Sequence, residues 1–137
     1  MPTPIKILFI LFFSSFMLPT WAEDEEPTSP QAIYYSIKDP FTINFLAQSK
    51  EKARYLQIKV TLMARDQAVI KSAELNLPML QDALRSLFSE QSYDLVSSIK
   101  GRKALQAKSL KTIKTILKEE TGKDNLDAVY FTSFILQ

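Results

Sequence analysis

The chain has 137 residues, 46% of them hydrophobic and 23% charged, and a formal net charge of +2, which is room for one domain that packing alone can sustain. It contains no cysteine and no histidine, which removes disulfide staples, Cys- or His-based nucleophiles, most zinc sites and histidine pH switching. The basic surplus is far below what nucleic-acid binding usually demands, so no nucleic-acid partner is expected.

In chain order, Lys6 precedes an almost wholly apolar run from Ile7 to Leu18, in which Ser14 and Ser15 are the polar members, followed by Pro19, Thr20, Trp21 and Ala22. A membrane-spanning helix needs about 20 apolar residues. A signal peptide instead combines a positive start, an apolar stretch of about 7–15 residues and a small-residue exit. Residues 1–22 are therefore expected to be a signal peptide cut between Ala22 and Glu23, with a short uncleaved membrane anchor as the other reading. Either one carries the remainder of the chain out of the cytoplasm. Residues 23–32 open on Glu23-Asp24-Glu25-Glu26, carry Pro27 and Pro30, and lack periodicity, so they read as a flexible acidic spacer. The domain is expected over 33–137.

Ile33 to Ile37 is aromatic and β-branched, a strand start that Asp39-Pro40 interrupts and Phe41–Leu46 resumes; the proline implies an edge or a bend. From Arg54 to Leu62 the alternation is clean, with Leu56, Ile58, Val60 and Leu62 on one face, predicting a strand that pairs in a hairpin with the segment before it. Asp66 is an N-cap candidate for a short helix over 67–75. Pro78 sits where a first helical turn tolerates it, opening an amphipathic helix over 78–89 with Leu80, Leu84, Leu87 and Phe88. Ser92 is placed to cap a brief turn carrying Leu95 and Val96. A long helix is predicted over 102–120, its apolar face built from Leu105, Leu110, Ile113, Ile116 and Leu117, with Gly122 as terminator. Residues 128–137 are apolar in both phases of alternation, which predicts a strand buried on both faces, or on one face plus a subunit contact. The order β-β-α-α-α-β predicts an α+β domain: a small, mostly antiparallel sheet with helices on one face.

No catalytic set assembles from these residues. Asp66, Glu74, Asp82, Glu90 and Asp94 are scattered at helix starts and exposed positions, and Gly101 and Gly122 lie at helix ends rather than in a phosphate-cradling loop. No enzyme activity, metal or cofactor is expected. Between Leu95 and Lys118 there are seven bases and no acid. Lys100, Lys103, Lys111, Lys114 and Lys118 fall on one stripe of the long helix, opposite its apolar face. Such a stripe is either a solvated face or a surface for an acidic partner or anionic lipid headgroups. In the last strand, Phe131, Phe134 and Leu136 are candidates for the core, or for a subunit contact if the strand lies at an edge.

Five stretches, in order, resemble the FliL family of flagellar basal-body proteins: Asp39-Pro40-Phe41-Thr42-Ile43-Asn44-Phe45, Arg54-Tyr55-Leu56-Gln57-Ile58, Leu77 to Leu84, Gly101-Arg102-Lys103-Ala104-Leu105, and Val129 to Gln137. Together they span about residues 34–137. The resemblance implies a non-enzymatic periplasmic domain at the inner membrane that supports the flagellar motor beside its stator. It also implies a ring-forming homo-oligomer and a fold similar to the stomatin/prohibitin core domain. Flagellar stator or basal-body proteins, further copies of the chain and the inner-membrane surface are the expected partners. The usual family member begins with a basic cytoplasmic segment and a full-length transmembrane helix, from which this leader departs. A periplasmic envelope binding module with a stomatin-like fold unrelated to motility is the alternative function.

Overall fold

The computed structural model describes residues 29–45 and 53–137; the expected leader, the Ala22–Glu23 cut and most of the spacer lie outside the described residues. The sheet is organised around one strand, β3 (Tyr55–Ala64), whose alternating Leu56, Ile58, Val60, Leu62 and Ala64 are fully buried. Two short strands share one side of it end to end. In β2 (Phe41–Asn44), Phe41 lies opposite Ile58 and Ile43 opposite Leu56. In β1 (Ile33–Ser36), Ile33 lies opposite Ala64 and Ser36 opposite Thr61. The predicted interrupted strand is thus two strands, divided at Asp39-Pro40 because proline has no N–H to give a ladder. The other side of β3 is taken by β4 (Ala128–Leu136), and all these pairings are antiparallel.

β4 contains an irregularity that explains its sequence. Ser133 lies opposite Lys59 while Phe131 lies opposite the next residue, Val60, so Thr132 is an extra residue inserted into the ladder. The insertion shifts the side-chain phase by one. Phe131 and Phe134, three positions apart, therefore face the same side, with ring centroids 5.9 Å apart. The expected strand buried on both faces is thus buried on one. Val129, Phe131, Phe134 and Leu136 pack towards the helices, whereas Tyr130 and Ile135 are exposed on the other face. Apolar residues occur in both phases because the bulge exchanges the phases midway.

The helices cover one face of the sheet. α1 (Gln67–Leu75) starts at Asp66, whose carboxylate accepts from the Ala68 N–H at 2.8 Å. α2 (Leu77–Ser89) follows with only Asn76 between, carries Pro78 in its first turn, and buries Leu80, Leu84 and Phe88 completely. α3 (Tyr93–Ser97) is a single turn capped by Ser92, whose hydroxyl accepts from the Leu95 N–H at 3.2 Å. α4 (Ile99–Thr121) ends at Gly122, which adopts the left-handed φ of 74° that glycine tolerates and returns its N–H to the Lys118 carbonyl. This helix begins three residues before the predicted Arg102, because the Ser98 hydroxyl accepts from the Gly101 N–H at 2.9 Å. Gly101 lies in the first turn of α4, at the helix end where it was expected.

Aromatic edges lock the layers together. The Phe88 ring meets Phe41 of β2 at 5.2 Å and Phe131 of β4 at 5.8 Å, both nearly perpendicular. The one polar side chain fully buried on α4, Ser109, returns its hydroxyl hydrogen to the Leu105 carbonyl at 2.8 Å, so it adds no unpaired group to the core. Among the described residues no helix is long and apolar enough to cross a membrane.

Candidate interaction surface

The short stretches that carry the family resemblance have physical roles in the structure. A Cβ on Gly101 would stand 1.8 Å from the Leu95 carbonyl oxygen, so the residue is a close-approach point between α3 and α4. Arg102 beside it donates from Nε to the Val96 carbonyl at 3.0 Å and lays its guanidinium 4.6 Å from the Phe134 ring centroid. Leu105 completes the set as a fully buried side chain. At the same end of the sheet, the Arg54 guanidinium lies 4.0 Å from the Tyr93 ring, and Tyr55 and Gln137 exchange two backbone hydrogen bonds at 2.9 Å. These residues fasten α3, α4 and the end of the β3–β4 ladder where β3 begins and β4 finishes to one another.

The lysine stripe lies on the side of α4 away from its buried Gly101, Leu105, Ser109, Ile113 and Leu117. Lys100, Lys103, Lys111 and Lys118 are exposed and Lys114 is half-buried. Where α4 passes the start of β4, Lys103, Gln106, Ala107 and Leu110 form a groove with Ala128 and Val129. The groove continues past Lys111 and Lys114 to Asp124. Its apolar lining is Ala107, Leu110, Ala128 and Val129, its charge comes from three lysines and Asp124, and Gln106 donates to the Val129 carbonyl at 2.7 Å. Three of the five stripe lysines border it; Lys100 and Lys118 do not. The single ion pair among the described residues is Arg65–Asp127, 3.3 Å apart on the surface, so the stripe has no carboxylate partner among them.

Phe131, Phe134 and Leu136 are half-buried and turned towards the helices. Among the described strands, β4 pairs only with β3, so what it offers a neighbour is the outer backbone edge beyond Val129, whose carbonyl Gln106 already takes. The opposite sheet face is uncovered by any described element. Tyr34 and Tyr130 lie there with centroids 6.3 Å apart, beside hydroxyls of Ser36, Thr61 and Thr132 linked at 2.9 and 3.4 Å. Sequence reasoning missed Gln106 and Ala107 as groove residues and the Tyr34–Tyr130 pair. The first two carry no charge or strong hydropathy to mark them, and the tyrosines meet only through a pairing of distant strands.

Among the described residues, no three acidic side chains gather where they could hold a metal ion, and no buried side-chain polar atom lacks a hydrogen-bond partner. The domain is an α+β fold that presents a groove, a strand edge and an open sheet face. The family model described as flagellar basal body-associated protein FliL matches residues 34–137, and the chain belongs to that family. It is 32% identical over 105 residues to the flagellar protein FliL of Aquifex aeolicus (strain VF5), covering 77% of this chain and 62% of that protein. It is 31% identical over 108 residues to the flagellar proteins FliL of Escherichia coli (strain K12) and Shigella flexneri, covering 79% of this chain and 67% of each relative. The match with the Aquifex protein therefore spans less than two-thirds of that relative's length.

Proposed function

We propose that the chain is a non-enzymatic structural component exported to the periplasmic side of the bacterial inner membrane. There it supports the flagellar motor by associating with further copies of itself in a ring and by binding stator proteins. Residues 1–22 direct the export, with the cut between Ala22 and Glu23, and 23–32 tether the domain. Membership of a basal body-associated family supports the place of action. The core is read as stomatin/prohibitin-like, on the strength of an antiparallel sheet that carries its helices on one face.

The observation that carries self-association is β4. Its sequence from Ala128 to Gln137 has no charge and no proline, two of the devices that ordinarily blunt an exposed sheet edge, and the bulge at Thr132 is the one such device it carries. The lysine stripe and the inner-membrane surface supply a second, electrostatic contact. Deleting the gene in its host and scoring swimming and swarming under viscous load tests the reading, together with the position of a fluorescent fusion. Loss of motility under load with foci at flagellar bases is expected. Normal motility and a fusion spread evenly around the envelope would overturn it.

A further inference from the structure

The irregularities of the sheet converge on one residue of its central strand. On the β4 side, the bulge at Thr132 falls between the pairs made by Lys59 and Val60. On the other side, Ser36 lies opposite Thr61 and the Ile37 N–H donates to the Val60 carbonyl at 2.9 Å, a register that sets Lys38 opposite Lys59. Phe41 lies opposite Ile58, so Asp39 and Pro40 are extra residues inserted beside Lys59 as well. Bulges are over-represented beside active sites, where they re-aim side chains. Here they flank a trough of about 570 Å³ on the uncovered face, a volume in the range of ligand sites. Lys38, Lys59, Ser36, Thr132, Ser133 and Gln57 line it.

The trough is cationic and carries no counter-charge. Like charges directly opposite on neighbouring strands repel, yet no acidic side chain among the described residues lines it. Asp39, next to Lys38 in the chain, is exposed and outside the lining, and the single ion pair among the described residues is Arg65–Asp127. An anion set between the two ammonium groups relieves the repulsion. The rest of the face narrows the kind of anion. Backbone groups point along the ladders rather than out of the sheet, so a ligand meets side chains alone, and a peptide strand finds no edge to extend. Through Gln57 and Ile135 the trough runs on into a second, of about 300 Å³, that reaches Thr42, Tyr55 and Gln137. Beyond its other end stand Tyr34 and Tyr130, 62% and 38% exposed. From Thr61 to Tyr55 the track follows β3 for about 20 Å. Tyrosine joins an apolar ring to a polar tip. Rings at both ends, hydroxyls and amides between them and a cationic centre match a linear ligand with apolar ring faces, hydroxylated edges and a carboxylate.

We propose that the open sheet face binds a carboxylate-bearing glycan strand, laid along β3 with one carboxylate between Lys38 and Lys59. Sugar rings stack on Tyr55 and on Tyr34 and Tyr130, and their hydroxyls exchange hydrogen bonds with Ser36, Gln57, Thr132 and Ser133. Thr61 orients two of these partners, its hydroxyl lying 2.9 Å from that of Ser36 and 3.4 Å from that of Thr132. The site is on the face away from the helices and shares no residue with the lysine stripe of α4. The inference goes beyond the flagellar reading. It takes from the export reading only the source of the glycan, the cell-wall polymer in which carboxylate-bearing sugars alternate with neutral ones.

The test follows backbone amide chemical shifts of the isotope-labelled full chain during titration with a peptide-free tetrasaccharide of alternating N-acetylglucosamine and N-acetylmuramic acid. Shifts are expected at Ser36, Gln57, Lys59 and Ser133. Affinity is expected to fall about tenfold in Lys38→Gln/Lys59→Gln, and about as much on passing from low salt to about 0.5 M salt. Chitotetraose, the same backbone without carboxylates, is expected to bind about tenfold more weakly. Lys71→Gln/Lys108→Gln removes the same charge from exposed helix positions and is expected to keep the parental affinity. The salt titration and the neutral probe need no variant, so a folding defect cannot mask the answer. Absence of shifts overturns the proposal, as do shifts confined to α4 or equal binding of chitotetraose. Equal binding of acetate or of a four-residue glutamate peptide also overturns it, because the site would then read charge and not sugar. The titration is run in vitro, so its failure leaves the export reading standing, and a failure of export leaves the titration unchanged.

Discussion

Replacing Gly101 by alanine sets two effects of opposite sign against each other. In a helix interior alanine is favoured over glycine by about 1 kcal/mol. The new Cβ, however, would lie 1.8 Å from the Leu95 carbonyl oxygen, 2.7 Å from its carbon and 2.8 Å from the Ser98 hydroxyl that caps α4. Two of these atoms are backbone, so restoring ordinary contact moves the α3–α4 junction by about 1.5 Å. Overpacking of this kind costs about 1–3 kcal/mol and sometimes more, and disturbing the Ser98 cap adds about 1 kcal/mol. The clash wins, and Gly101→Ala is expected to destabilise by about 2–3 kcal/mol. Urea unfolding followed by far-ultraviolet circular dichroism should show the midpoint falling by about 1–2 M with an unchanged slope. Gly122→Ala is the control. Nothing lies within 4 Å of its added Cβ, and only the φ of 74° opposes it, at about 1 kcal/mol. A Gly101→Ala protein as stable as the parent, or more stable than Gly122→Ala, would refute the close-approach argument.

Phe88→Ala should cost about 3–5 kcal/mol, the range for emptying a fully buried aromatic site, since it removes both edge-to-face contacts that tie α2 to β2 and β4; a loss below about 1 kcal/mol by chemical denaturation would contradict it. Deleting Thr132 removes the bulge and leaves the register intact on both sides of it, Lys59 opposite Ser133 and Val60 opposite Phe131, so Phe131, Phe134 and Leu136 alternate regularly and all still face the helices. A retained cooperative unfolding transition is expected, and binding of a hydrophobic dye with loss of cooperativity would show that Thr132 is not the inserted residue.

Most elements were legible because their signals are local. Asp66, Pro78, Ser92 and Gly122 act within a turn of their own position, and the alternation of Leu56 to Leu62 needs no partner to be read. The misreadings arose where distant contacts decide. Gly101 is read correctly as a helix end, but the Leu95 carbonyl that closes against it is out of sight until α3 is packed there. The apolar residues of β4 read as double burial until the pairing with Lys59 and Val60 reveals one residue too many. The lysine stripe was visible as a helical pattern in the sequence. That three of its members share a groove with β4 was not, since Gln106, Ala107 and Leu110 become groove residues only by facing Ala128 and Val129.

The position of β3 also orders the assembly of the domain in time. Its neighbours on one side, β1 and β2, come just before it in the chain and close early at small entropic cost. Its neighbour on the other side is remote: Thr61 and Thr132, whose hydroxyls meet, are 71 positions apart. Until α1 to α4 have formed and brought β4 round, one side of the central strand and the inner rings of Phe131 and Phe134 stay uncovered. Non-local closure of this kind is slow. The interval in which this protein is most prone to mispairing or proteolysis is therefore the wait for its last strand.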